Sequence, residues 1–137
     1  LALKVVVGLM RTSGQLTQFL KNDVSSYGLN STEFGVLELL WSKGEYPVQQ
    51  IAKKILISSS STTYVINQLE KKGLVQRRID TKDRRVAYIG LSPSGFDLMR
   101  EIFPVHVAKL DKVFGNLSEA ELQWLSTLLK KINFDLP

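Results

Sequence analysis

The stretch from Ser58 to Lys71 is crowded with neutral hydrogen-bonding side chains and holds one acid, Glu70, the sole carboxylate between Glu45 and Asp80. On a helix advancing about 100° per residue, with Thr62, Val65, Ile66 and Leu69 turned inward, the opposite side carries Ser60, Tyr64, Asn67 and Lys71. Ser61, Thr63 and Gln68 flank that side. Asn and Gln can pair with adenine edges, Ser and Thr can bond bases or phosphates, and the Thr63 methyl could touch a thymine methyl. The bland alternative is a solvated polar face. Such faces usually include glutamates, whereas the first turn here has no carboxylate to repel DNA, which favours base reading.

A second group follows directly. Between Lys71 and Arg85 stand Lys71, Lys72, Arg77, Arg78, Lys82, Arg84 and Arg85 against Asp80 and Asp83, a net of +5 that equals the formal charge of the whole chain. All excess charge therefore belongs to one segment, as expected of a footprint for phosphate. A solvated basic loop would look the same in composition alone. Candidate DNA contacts are accordingly Ser60, Ser61, Thr63, Tyr64, Asn67, Gln68, Lys71, Arg77, Lys82, Asp83, Arg84 and Arg85.

Other chemistries lack equipment. The chain has no cysteine and a single histidine, His106, so disulfides, thiolate metal sites and most histidine-based metal sites are excluded. No Gly-rich phosphate loop, Ser/His/Asp set or metal-ligand spacing is present, and the expectation is a non-enzyme without a cofactor. The 137 residues, 44% hydrophobic and 23% charged, suit one globular domain. The apolar runs fall far short of a membrane span, and no basic-then-apolar signal peptide is evident, so a cytoplasmic location is expected. The aromatic side chains Trp41, Phe19 and Phe103, with His106, read first as plain core or subunit interface, and His106 could equally be a solvated helix residue.

The elements that must position these groups can be read from spacing. A first helix spans 2 to about 22, with Leu9, Leu16, Phe19 and Leu20 near one face. Asn30 and Glu33 form a capping box for a second, reaching about Ser42. After Lys43-Gly44, Val48, Ile51, Ala52 and Ile55 mark a short third helix over about 48 to 55. Ser58 can cap a fourth that stops at Gly73. Leu74 to Ile79 and Arg85 to Leu91 read as strands of a hairpin whose tip is Asp80 to Arg84. Ser92-Pro93 opens a long fifth helix through about Phe114, with Pro104 as a kink and Gly115 as its close. Ser118 and Glu121 cap a sixth, whose apolar side is Leu122, Leu125, Leu128, Leu129 and Ile132. The fold class is mainly α with a small β-hairpin wing, in which the fourth helix enters a major groove and the hairpin meets neighbouring backbone or minor groove.

These segments resemble the MarR-type regulators. The resemblance runs through Leu29-Asn30-x-x-x-Phe34-x-x-Leu37, Ile51-Ala52-Lys53-Lys54 and Leu69-Glu70-Lys71-Lys72-Gly73-Leu74-Val75. It ends with Asp83-Arg84-Arg85 and Ile89-Gly90-Leu91-Ser92-Pro93-Ser94-Gly95, similar to the family's Asp-x-Arg wing and Leu-Thr-x-x-Gly junction. The resemblance implies a single domain over 1–137, with a winged helix-turn-helix core at about 30–92 flanked by N- and C-terminal dimerisation helices at about 1–28 and 93–137. It implies that Arg85 enters the minor groove, with Asp83 orienting it or stabilising the wing. It further implies a homodimeric repressor on a pseudo-palindromic double-stranded operator, released by a small aromatic or phenolic effector whose pocket the sequence does not identify, Trp41, Phe19, Phe103 and His106 being imaginable as its lining. Tyr64 departs from many relatives, which carry Arg or Lys there, and cysteine sensing is ruled out by composition. A winged helix used for protein-protein contact without specific DNA binding is the competing reading.

Overall fold

The computed structural model describes residues 1–55 and 59–132, with the side chains of Ser59 and Ser60 outside the description. The order is α1 (Ala2–Ser25), α2 (Ser31–Lys43), β1 (Tyr46–Pro47), α3 (Val48–Ile55), α4 (Ser59–Lys71), β2 (Val75–Ile79), β3 (Ala87–Leu91), α5 (Pro93–Val113) and α6 (Glu119–Lys131). Two compact units result, Leu1–Arg100 and Glu101–Pro137, divided within α5.

In the first unit, α1 outruns the sequence expectation because its stop signal lies at Gly28. Gly28 takes φ 74, and the Gly28 and Leu29 amides donate back to the Ser25 and Val24 carbonyls, a glycine-dependent helix closure. The predicted capping box at the start of α2 is present. Asn30 Oδ1 accepts from the Glu33 amide at 2.7 Å, and Glu33 Oε1 accepts from the Asn30 amide at 2.9 Å. The same buried carboxylate receives Lys72 Nζ at 2.7 Å, and that ammonium also donates to the Gly28 carbonyl at 2.9 Å. The ends of α1 and α4 are thereby joined to the first turn of α2.

Val36 and Leu37 from α2, Ile51 from α3, Ile66 and Leu69 from α4 and Ile89 from β3 have essentially no exposure and form the core that holds α4 in place. The predicted hairpin forms from β2 and β3 and gains a third strand. It belongs to a three-stranded antiparallel sheet of order β1-β3-β2, in which Tyr46 pairs with Ile89 and Arg77 also pairs with Ile89 from the other side. A two-residue strand containing Pro47 gives almost no sequence signal. It forms because β3 offers an unpaired edge, and an edge is where a strand proline is tolerated. The second arm also begins at Ala87 rather than Arg85, since Arg85 and Val86 are held in the tip by bonds of their amides to Asp83.

The start of α5 is tied to the end of α4. Ser92 Oγ donates to the Gly73 carbonyl at 2.6 Å and accepts from the Gly95 amide at 3.0 Å, while the Ser92 amide donates to the Leu74 carbonyl at 3.1 Å. In the second unit α5 continues through Pro104. The Ser118–Glu121 capping box opens α6 as expected, with bonds of 2.9 and 3.1 Å.

Candidate nucleic-acid interface

The division of α4 into faces follows the predicted periodicity. Thr62, Val65, Ile66 and Leu69 are buried, whereas Ser61, Thr63, Asn67 and Lys71 are exposed and Gln68 is half-buried. Tyr64 stands 64% exposed. The Ser60 side chain and the proposed cap at Ser58 lie outside the described residues. The outer surface of the helix is thus lined by uncharged donors and acceptors with a lysine at its C-terminal end.

At the wing tip, Arg85 is held by one carboxylate. Its Nε donates to Asp83 Oδ1 at 3.0 Å, its terminal nitrogen to Oδ2 at 3.2 Å, and its backbone amide to Oδ1 at 3.1 Å. The side chain nevertheless remains 91% exposed, so orientation is gained without concealment. The Arg85 side chain and then its amide hold the Asp83 carboxyl below the usual carboxylate range. Lys82 and Arg84 are exposed on the same tip, where the Lys82 amide bonds Asp80 at 3.1 Å.

The basic segment is not one undivided phosphate surface. Lys72 is engaged by Glu33, Arg77 by Glu70 at 2.7 Å and Arg78 by Glu45 at 2.7 Å. Arg78 also lies 4.6 Å from the centroid of the Tyr88 ring. Its bonds pull the Glu45 carboxyl below its ordinary range, and Glu45 in turn raises the arginine. Three of the seven cations counted along the sequence thus have carboxylate partners on other elements, which composition cannot reveal. Sequence reasoning also missed Gln49, whose Nε2 donates from α3 to the Arg85 carbonyl at 3.4 Å.

The aromatic candidates are placed separately in the two units. In the first, Trp41 packs against Phe96 with ring centroids 5.0 Å apart, and Phe19 is half-buried. In the second, Phe103 and His106 are 6.4 Å apart. His106 is only 3% exposed, which corrects the reading of a solvated helix residue: its ring faces away from water. Among the described residues no group of three histidines or acids could hold a metal ion, and no helix is long and apolar enough to cross a membrane.

Two packed helices, α3 and α4, followed by an antiparallel wing make this a winged helix-turn-helix, the class of fold that presents its second helix to DNA. Comparison with known proteins narrows the class. The MarR family model matches residues 29–87. The chain is 39% identical over 134 residues to the HTH-type transcriptional regulator MhqR of Bacillus subtilis (strain 168), covering 98% of this chain and 92% of that protein. Bordetella bronchiseptica BpsR, whose DNA binding is regulated by 6-hydroxynicotinic acid, superposes with a TM-score of 0.80 at 26% identity, over 93% of this chain and 97% of BpsR. MepR of S. aureus, solved as a DNA complex, has the same fold, with a TM-score of 0.78 at 22% identity over 90% of this chain and 91% of MepR. The chain belongs to the MarR family of DNA-binding transcriptional regulators.

Proposed function

We propose that the protein is a cytoplasmic homodimeric repressor that reads a pseudo-palindromic operator with α4 and the wing and is released by a small aromatic or phenolic ligand. The observation that carries the DNA reading is the pairing of an α4 outer face made of hydrogen-bonding groups with a wing arginine that is 91% exposed yet fixed by Asp83. Base contacts are assigned to Ser60, Ser61, Thr63, Tyr64, Asn67 and Gln68, and backbone contacts to Lys71, Arg77, Lys82 and Arg84. Arg85 is assigned to the minor groove, oriented by Asp83. The aromatic effector is supported by the likeness to BpsR. Nothing in this reading calls for catalysis.

Arg85→Ala is expected to weaken binding both to a duplex selected from random-sequence DNA by the unchanged protein and to sheared mixed-sequence DNA. The slope of log affinity against log salt should fall by about one unit. Titrations at several salt concentrations measure this. Unchanged bulk affinity and slope would remove the wing from the interface and favour a protein-contact module.

The dimer is supported by apolar surface that the single chain leaves open. On α1, Leu3 and Met10 are 74% and 70% exposed, and on α6 Trp124 and Leu128 are 71% and 57% exposed. Surfaces of this kind mark association sites, and a two-fold partner is the commonest way to cover them. Sedimentation at micromolar concentration should show no persistent monomer. A folded monomer that binds its selected duplex with full affinity would sink the dimer.

A further inference from the structure

The wing is tied at two places to the segment that leads into the helix-turn-helix. Glu45 directly precedes β1, and β1 runs without a break into α3. Its carboxylate holds one edge of the Arg78 guanidinium on β2: Oε1 accepts Nε at 3.0 Å and a terminal nitrogen at 2.7 Å, and Oε2 accepts Nε at 3.1 Å. The guanidinium also lies over the ring of Tyr88, the cross-strand partner of Arg78 on β3. Near the tip, Gln49 in the first turn of α3 donates to the Arg85 carbonyl. β1 pairs with β3 only as far as Tyr88, and beyond that pair the wing is a two-stranded ribbon of little independent stability, so these ties help to decide where its tip points.

We infer that Glu45 is a positioning residue for DNA recognition: by clamping Arg78 it fixes the direction of the wing relative to α3, so that Arg85 arrives at the groove already aimed. The inference rests on the reading that the wing touches DNA. Order imposed before binding need not be imposed during it, so a fixed wing favours the selected duplex, whose contacts demand one geometry. Bulk DNA, bound by charge alone, makes no such demand.

The sign of one substitution tests this. Glu45→Gln removes a negative charge, and electrostatics alone would then tighten binding to every DNA. The positioning role instead predicts about three- to tenfold weaker binding to the selected duplex, with bulk binding unchanged or tighter. The charge-neutral Gln49→Ala should act in the same direction. Melting temperatures should stay close to that of the unchanged protein, because exposed ion pairs contribute little to folding. In an Arg85→Ala background, Glu45→Gln should weaken the selected duplex less than it does in the unchanged protein, since the arginine it aims is gone. Tightening on the selected duplex equal to that on bulk DNA overturns the inference while leaving an effective Arg85→Ala, and the wing reading, intact. An Arg85→Ala protein that binds normally overturns both.

Discussion

Gly95→Ala is expected to produce a protein that melts on the order of 10 °C lower and is recovered poorly, although the substitution adds only a methyl group and normally favours a helix. The new Cβ would be driven into the carbonyl oxygen of Leu74, with the Leu74 carbonyl carbon 2.9 Å away and its Cα 3.3 Å away. These are backbone atoms and cannot swing aside as a side-chain terminus would. The Leu74 carbonyl also accepts the Ser92 amide, and the Leu74 amide donates to the Leu69 carbonyl that ends α4. Relieving the clash therefore means giving up the cap of α5 or the closure of α4. Overpacking of this kind costs about 3 kcal/mol. Differential scanning calorimetry measures it, and a melting temperature unchanged by Gly95→Ala would show that the junction is looser than described.

Asn67→Ala is expected to have the largest effect on recognition. Asn67 lies on the exposed side of α4, one turn beyond Tyr64 and turned away from the buried face that holds Ile66 and Leu69. Its amide can donate to and accept from one adenine edge, and losing such a paired contact costs on the order of 1–3 kcal/mol. Because the group is neutral, its removal should leave the salt slope and bulk binding nearly unchanged. This is the opposite of the Arg85→Ala pattern, and the two variants separate reading from attraction. Equal weakening on selected and bulk DNA would mean that Asn67 bonds phosphate, and base reading would then have to come from Thr63 or Tyr64.

The elements that were legible in the sequence are those whose signals are local. Asn30 with Glu33 and Ser118 with Glu121 cap their helices through bonds spanning three residues, so the spacing alone identifies them. Likewise Thr62, Val65, Ile66 and Leu69 share a buried face because periodicity within one helix decides it. Long-range pairing was not legible. Lys72 meets Glu33 across 39 positions and Arg78 meets Glu45 across 33, and a count of charges along the chain assigns all of them to phosphate. β1 was missed for a related reason: its two residues become a strand only through β3. Gly95 was visible as a motif residue, but the reason for it, the approach of Leu74, exists only once the chain has folded.

The Glu33 carboxylate completes the cap of α2 and receives Lys72 from the end of α4 while almost wholly buried. Two demands on one side chain leave position 33 without a mild replacement. Glutamine would keep an acceptor for the Asn30 amide but set a neutral group against the lysine. Aspartate would keep the charge but fall a methylene short of both partners. Alanine would free the lysine and leave the first turn of α2 open. A change at position 72 alone would answer only one of the two demands, because the Asn30 amide would still lack its acceptor. A designer shuffling segments would therefore have to move positions 30, 33 and 72 together.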